Sequence, residues 1–167
     1  MTAPEQATPH PQIARQIRQI VIRAANGDQH GAINALVTLN NEHGPTAVYN
    51  LCRTLAEATR RVTYAIAGIS ADGDGCTMVA VLGPDDHVIE PDQAPTEAQP
   101  VIWAARFLAA YSNGDNATVA ALFHSSRESS FTDTGTLDRH LTEVVALLDL
   151  GTGAIQAGYV HFTGNTP

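Results

Sequence analysis

Seven histidines are the side chains of this 167-residue sequence best suited to acid–base or metal chemistry, but their spacing favours neither. No two of them are three or four residues apart, the separation that places two ligands on one helical face in a His-Glu-x-x-His zinc site. The histidines are His10, His30, His43, His87, His124, His140 and His161. We therefore predict no metal ion and no cofactor, and only His124 and His140, which flank a Ser/Thr-rich stretch, form a pair of interest.

Serine, aspartate and glycine motifs give no stronger signal for catalysis. The serines that follow His124 lack the Gly-x-Ser-x-Gly elbow that exposes a nucleophile, so we expect their hydroxyls to bond to the backbone. The Asp-Gly-Asp-Gly run at residues 72–75 begins like a calcium loop, but Cys76 and Gly83 stand at the fifth and twelfth positions, where oxygen ligands are needed. No glycine-rich nucleotide-binding loop is present. We predict no catalytic residue.

The first helix carries three arginines, Arg15, Arg18 and Arg23, interleaved with glutamines. Such a face is most often simply solvated. It could also contact an acidic protein surface, or read phosphates and bases of nucleic acid. We prefer these interpretations in that order, because no helix-turn-helix signature is present and the acidic remainder of the chain would repel DNA.

Charge is distributed unevenly along the chain. The net charge is −8, yet residues 1–61 hold six arginines against four acids, whereas residues 62–167 hold three against thirteen. This balance disfavours nucleic acid and anionic membranes as general partners. The chain has no lysine, and with abundant Ala, Thr, Gly and Asp this indicates a GC-rich bacterial genome, such as an actinobacterium or its phage.

Location follows from what the sequence lacks. Residues 1–10 have neither the charged nor the apolar region of a secretory signal, and we predict that they form a disordered leader. No apolar run approaches the roughly 18–20 residues that span a bilayer. Two widely separated cysteines, Cys52 and Cys76, favour free thiols over a disulfide. We predict a cytoplasmic protein.

The most apolar stretch is a predicted helix at residues 101–111. Trp103, Phe107 and Tyr111 lie on one face at i, i+4 and i+8, while other apolar residues line a second face. A helix that is apolar on more than one side is central to a core or part of an interface. We expect both faces to be covered, one by its own half of the chain and one by the other half or a second subunit.

An Asn-Gly-Asp turn occurs twice, at residues 26–28 and 113–115, offset by 87. Glycine ends a helix in the left-handed conformation, and aspartate can cap the next one. After a one-residue gap, three apolar positions match at an offset of 86: Ile33, Ala35 and Leu36 with Val119, Ala121 and Leu122. We favour a duplicated unit, and the alternative is that Asn-Gly-Asp is merely a common helix terminator and cap.

Apolar periodicity predicts the remaining elements. A helix follows Pro11, a second ends near residues 43–44, and a third begins at Pro45 and carries a Glu57–Arg61 pair at i,i+4. The β-branched residues at 62–69 leave open an earlier end and a strand there. A short helix around 119–123, a looser stretch at 125–136 and a helix from Leu137, ended by Gly151 and Gly153, complete the second half.

Two short apolar segments, residues 76–82 and 87–91, flank a Gly-Pro-Asp-Asp turn and predict a β-hairpin. Residues 154–163 predict a final strand. The fold class is mainly α (α+β): two similar halves of helix, turn, helix and helix, with a small central hairpin and a possible C-terminal strand. The predicted divisions are a leader at 1–10, an N-terminal half at 11–91, a linker at 92–100 and a C-terminal half at 101–167.

The function that fits these observations is a non-enzymatic interaction or regulatory protein that self-associates as a homodimer. Its predicted interaction residues lie on two helices and are Arg15, Arg18, Arg23, Trp103, Phe107 and Tyr111. One alternative is a DNA-binding regulator that uses the first helix, although we expect no nucleic acid and no membrane among the partners. A second is a small enzyme or ligand-binding protein with a site near His124, His140 or Asp133.

Overall fold

The structure, a computed structural model, is built of helices and confirms the mainly α fold class. It describes residues 10–69, 79–82, 88–90, 92, 94–131 and 137–164, without the side chains of 129–131, 137–138 and 158–164. The α-helices are α1 (Pro11–Ala25), α2 (Gln29–Ala67), α3 (Gln99–Ser112), α4 (Asn116–Phe131) and α5 (Leu137–Gly164). The chain divides into two compact units, Met1–Leu51 and Cys52–Pro167.

The first unit contains a helical hairpin formed by α1 and the beginning of α2. Pro11 starts α1, because its missing N–H would have no partner at a first helical position, and His10 accepts a hydrogen bond from the Gln12 N–H. The Gln16 side-chain amide donates to Glu42 over 2.7 Å, which fixes the two helices side by side and antiparallel. Apolar residues of both helices are buried: Ile17, Ile20, Ala24, Ala32, Leu36 and Leu39.

The turn at residues 26–28 forms as the sequence predicts. Gly27 has φ +81°, and the Asp28 N–H donates to the Arg23 carbonyl over 2.9 Å, which satisfies one of the last carbonyls of α1. Asp28 then caps α2, since its Oδ1 accepts from the Gly31 N–H at 2.9 Å. One glycine and one aspartate therefore end one helix and begin the next.

Gly44 divides α2 into two helical segments, residues 29–43 and 45–67. Gly44 has φ +71° and ψ −172°, which no helix contains, and Pro45 then stands at the first position of the second segment. The predicted break at this point is confirmed. The segment that the sequence left open, 62–69, is helical as far as Ala67, and Gly68 follows at φ +66°. Ile66 and Ile69, at the end of this segment, are exposed.

In the second unit α3, α4 and α5 pack against one another, with α3 in contact with both of the others. Seven of the fourteen residues of α3 are buried: Ile102, Trp103, Ala104, Ala105, Phe107, Leu108 and Ala110. Residues 52–67 of α2 belong to the same unit, where Leu55 and Thr59 lie against Gly151 of α5. The predicted helix at 101–111 is thus confirmed within two residues at each end, and most of its apolar side chains are buried in the single chain.

The predicted C-terminal strand is wrong, because α5 runs without interruption through residues 154–163. Gly151 and Gly153, read as a stop signal, lie inside this helix. Glycine costs a helix about 1 kcal/mol relative to alanine. At Gly151 tertiary packing offsets that cost: an added Cβ would lie 3.2 Å from Thr59 Oγ1, so the missing side chain lets α5 approach α2.

The segment predicted as a loose Ser/Thr stretch is helical in its first part. Helix α4 continues from Asn116 to Phe131. Ser125 donates to the carbonyl of Leu122 over 3.1 Å, and such bonds to the preceding turn are compatible with a helix. Residues 132–136 lie outside the described part of the chain.

The central β-hairpin is not confirmed. In residues 79–82 and 88–90 the structure contains one antiparallel bridge, between Leu82 and Val88, and the Ile89 N–H donates to the Val81 carbonyl over 2.8 Å. The described residues contain no strand beyond this bridge. Residues 76–78, 83–87 and 91 of the predicted hairpin and residues 1–9 of the predicted leader lie outside the described part. The predicted linker, residues 92–100, contains a 3-10 helix at Thr96–Ala98, and its last two residues begin α3.

Candidate functional site

The three arginines predicted to make contacts are exposed on α1. Arg23 lies 3.8 Å from the Asp28 carboxylate and 3.5 Å from the Gly31 carbonyl, so it reinforces the turn. The Arg15 and Arg18 guanidinium groups form no ion pair or hydrogen bond with the described residues. No acid lies in α1, and Ile22, one turn beyond Arg18, is 51% exposed. The structure therefore brings Arg15, Arg18 and Ile22 together as one exposed surface, which we call the α1 basic face.

Arginines of the second unit differ because several are engaged within their own unit. Arg61 forms the predicted i,i+4 pair with Glu57 at 2.6 Å, and Arg60 binds the same carboxylate at 3.1 Å. Hydrogen bonding to Arg60 holds the pKa of Glu57 below its ordinary value, and the bond to Arg61 acts in the same direction. The Arg53 guanidinium lies 6.0 Å from the ring centre of Tyr111. These groups are occupied, in contrast to Arg15 and Arg18.

The α1 basic face corresponds to a buried surface of α3. Four backbone hydrogen bonds around the first Asn-Gly-Asp turn recur 87 residues later around the second, so the helices can be compared position by position at that offset. Arg15, Arg18 and Arg23 then fall on Ile102, Ala105 and Ala110, all of which are buried. Positions buried in α1 also match, because Ile17 and Ile20 fall on Ala104 and Phe107. The two helices therefore share one buried face and differ in the other.

Two of the three aromatic residues predicted on α3, Trp103 and Phe107, are buried rather than on an open surface. The rings of Trp103 and Phe107 are 5.3 Å apart, and both side chains are buried. The Trp103 indole N–H donates to the Leu122 carbonyl of α4 over 3.1 Å. Tyr111 is half-buried. Trp103 and Phe107 therefore join α3 to its neighbours, and an interaction role for them stays a prediction.

A buried polar cluster joins α4 to α5 and was not predicted as a unit. Ser126 Oγ lies 2.6 Å from His140 Nδ1 and donates a short hydrogen bond to Glu143 Oε2. Glu143 Oε1 accepts from Arg139 Nε at 3.1 Å. Ser126 and Glu143 are 4% and 1% exposed, so their polar atoms depend on one another for hydrogen bonds. One signal was present in the sequence: Glu143 lies on the apolar stripe of α5, four residues before Leu147.

The order of the bonds in this cluster determines its chemistry. A nucleophilic serine needs its proton to pass to a histidine that a carboxylate orients. Here the serine stands between the other two groups, and its single proton is directed at the Glu143 carboxylate. His140 must then carry a proton on Nδ1 and donate to Ser126 Oγ. This order differs from that of a Ser-His-carboxylate triad, in which the histidine stands between the serine and the carboxylate.

His140 is held in its neutral form. Burial lowers the pKa of His140 to about 4, and the nearby Arg127 charge acts in the same direction. Its ring packs edge-on against Phe123, with 5.0 Å between ring centres. His124 is exposed, and Asp133 lies outside the described residues. Of the residues considered for an enzymatic site, the structure thus places His140 with Ser126 in the buried cluster.

Three further observations bear on function. Among the described residues, no three His, Cys, Asp or Glu side chains are grouped so that they could hold a metal ion. Within the same part of the chain, none of the helices combines the length and apolar character needed to cross a membrane. Burial raises the pKa of the Cys52 thiol, which disfavours the reactive thiolate.

No protein-family description, curated protein or solved structure matches this chain.

Proposed function

We propose that this protein is a non-enzymatic, cytoplasmic interaction protein that self-associates as a homodimer. One observation carries the proposal: α1 exposes arginines at positions where α3 buries apolar residues against its neighbours. In the second unit, the hairpin formed by α3 and α4 packs with a further helix, α5, and that face of α3 is buried. The same face of α1, with Ile22 half exposed, is open to a partner.

The apolar character of α3 is not evidence for self-association. That helix contacts both α4 and α5, and its buried residues need no second subunit. Support for association therefore rests on α1, which combines unpaired positive charge with an exposed isoleucine. Charge favours partner choice and encounter rate, whereas the apolar contact supplies affinity.

We also propose that the two hairpins arose by duplication. Support comes from the shared turn and from the burial pattern that follows it. At the offset of 87, buried Ala32, Leu36 and Leu39 fall on buried Val119, Phe123 and Ser126. This offset needs no gap and replaces the offset of 86 suggested by sequence alone. Duplication explains why one chain contains a covered and an uncovered version of the same helix face.

The alternative functions have weaker support. An enzyme near His140 would need an accessible nucleophile, and Ser126 is buried with its proton directed at Glu143. A DNA-binding regulator would use the same arginines, but the chain carries a net charge of −8. Protein contact is therefore the function that we favour for the α1 basic face.

The test is the mass of the protein in solution, measured by light scattering coupled to size exclusion at about 10–200 μM, a range suited to affinities weaker than about 1 μM. We expect a dimer, and we expect Ile22→Asp to give a monomer, because it places a charge in the contact. Val37→Asp changes another exposed apolar residue of the first unit, 39% exposed, and is the control that should remain dimeric.

Two results would overturn this proposal. A wild-type protein that stays monomeric over the whole concentration range would remove self-association. The second result is a monomeric protein that binds duplex DNA at low salt and whose binding falls steeply as the salt concentration rises. If Arg15→Ala/Arg18→Ala also abolishes that binding, α1 is a nucleic-acid-binding helix instead.

A further inference from the structure

We infer that the α1 basic face binds the outer face of α5 in a second copy of this chain. This inference rests on the proposed self-association and names the two surfaces that meet. The outer face of α5 is defined by its exposed residues on one side of the helix: Thr142, Asp149, Gly153 and Gln156, with Leu150 at its margin.

A twofold contact of the α1 basic face with its own copy, centred on the two arginines, is unfavourable. It would bring Arg15 and Arg18 of both chains together, with no acid in either helix to compensate. Like charges placed opposite each other in an interface oppose association. The partner surface must therefore be acidic and must offer an apolar side chain to Ile22.

Few acids in the described α-helices are free to receive this charge. Glu42 is bound by Gln16, Glu57 by two arginines and Glu143 by Arg139, while Asp28 and Asp115 cap helices. The carboxylates of Glu128 on α4 and Asp149 on α5 form no ion pair or hydrogen bond with the described residues. Both lie in the second unit, which carries the excess of acids.

Asp149 is the better match because it adjoins an exposed apolar residue. Leu150 is 36% exposed. One turn further along, Gly153 has no atom within 4 Å of the place where a Cβ would lie, so a neighbouring helix can approach its backbone. This face therefore offers a carboxylate, an apolar side chain and room for Ile22. The opposite face of α5 is occupied, since Val144, Leu147 and Leu148 are buried in its own unit.

The symmetry of such a contact is compatible with a dimer. In a dimer with a twofold axis, α1 of each chain would contact α5 of the other, so the contact would occur twice. Two equal contacts also compensate for the small energy of each exposed ion pair, because surface pairs contribute only about 0–1 kcal/mol each.

The experiment is a charge exchange followed by sedimentation equilibrium on the full chain. We expect Arg15→Glu/Arg18→Glu to raise the dimer Kd about tenfold or more, and Asp149→Arg to raise it in the same direction. Combining Arg18→Glu with Asp149→Arg should restore dimerisation relative to either change alone. Glu128→Arg is the matched control, because it reverses an exposed acid on α4 and should leave Kd unchanged. Circular dichroism establishes that each variant is folded.

The outcomes separate the inference from the proposed function. The pairing of α1 with α5 is overturned if Asp149→Arg leaves the dimer Kd unchanged. It is also overturned if the Arg18→Glu/Asp149→Arg variant dimerises no more tightly than either single variant. In both cases the proposal of self-association still stands. A wild-type monomer overturns both. Weakening by Glu128→Arg instead of Asp149→Arg would assign the contact to α4 and contradict the inference.

Discussion

The hairpin of α1 and α2 and the hairpin of α3 and α4 have the same turn, but the same helix face is exposed in α1 and buried in α3. Around Gly27 and Gly114 the backbone is alike: the preceding asparagines have φ of −87° and −86°, and the following aspartates each donate to a carbonyl five residues back at 2.9 Å. In the helices before the turns the two hairpins differ, because α3 carries apolar residues at the positions where α1 carries arginine. The turn fixes how two helices meet, whereas a few face positions decide whether a third helix joins them.

The caps show the same division between shared and local features. Asp28 and Asp115 each accept from the backbone N–H three residues on, at 2.9 and 3.0 Å. Asp115 also accepts from the Thr118 hydroxyl at 2.6 Å, and this bond is the main reason that the pKa of Asp115 lies below its ordinary value. Asp28 gains the Arg23 guanidinium instead. Both hairpins therefore share the capping bond from the backbone N–H, whereas the side-chain partner of the aspartate differs between them.

The largest expected difference between the hairpins is at Trp103 and its counterpart Gln16. Trp103→Ala removes a buried ring and its bond to Leu122, and should lower the free energy of unfolding by about 3–5 kcal/mol. Gln16→Ala loses one surface hydrogen bond to Glu42 and should cost about 1 kcal/mol or less. Denaturant titration followed by circular dichroism measures both. Equal losses would show that α3 is no more central than α1.

A second difference is the polar cluster, which the first hairpin lacks, since Leu39 stands at the position of Ser126. The folded-state pKa of His140, about 4, lies below its unfolded value. As pH falls from about 6.5 to 4 the unfolded chain binds a proton that the folded chain does not, and stability drops by about 2 kcal/mol after allowance for partial exposure. Above pH 6.5 this contribution is fully present.

The variant His140→Gln isolates that effect, because Glu143, Arg127 and Arg139 remain in place while the titrating ring is removed. We expect a flatter dependence of the unfolding midpoint on pH between 4 and 6.5 than in the wild type. His124→Gln, at an exposed position, is the control and should leave the dependence as it is. Identical pH profiles for wild type and His140→Gln would contradict the assignment.

The smallest expected effect tests the shared turn. Gly27 and Gly114 have φ of +81° and +72°, where a residue with a Cβ is strained by about 1–2 kcal/mol. Neither position has another atom within 4 Å of an added Cβ, so backbone strain alone should determine the result. Gly27→Ala and Gly114→Ala should therefore lower the thermal midpoint, with similar free-energy losses. A loss at one glycine only would show that the turns are not equivalent.

Local rules predicted the parts of the fold that depend on local chemistry. Pro11, the Asn-Gly-Asp turns and Gly44 mark helix ends in the structure as they do in the sequence, because each sets its own φ or supplies its own cap. The tail was predicted wrongly because glycine and β-branched residues weaken a helix only slightly. Contact between Gly151 and the side chains of Leu55 and Thr59 outweighs that preference, and no local pattern reports it.

The candidate sites were predictable to different degrees. An acid-free helix with three arginines is visible in the sequence, and so is its repeated turn. Whether those arginines are exposed depends on packing, which the sequence left open. The bond from Ser126 to Glu143 joins residues 17 apart on two helices and required the three-dimensional arrangement. Whether the aromatic residues of α3 lie in the core or at an interface likewise depends on the positions of α4 and α5.

The most direct test of the account is a dilution series of two-dimensional 15N–1H spectra of the full chain. We predict concentration-dependent shifts of amides on the exposed side of α1, near Arg15, Arg18 and Ile22, and none at their counterparts Ile102, Ala105 and Ala109. Such a pattern would show that the open face associates and the covered face does not. Shifts centred on α3, or spectra that do not change with concentration, would contradict the account.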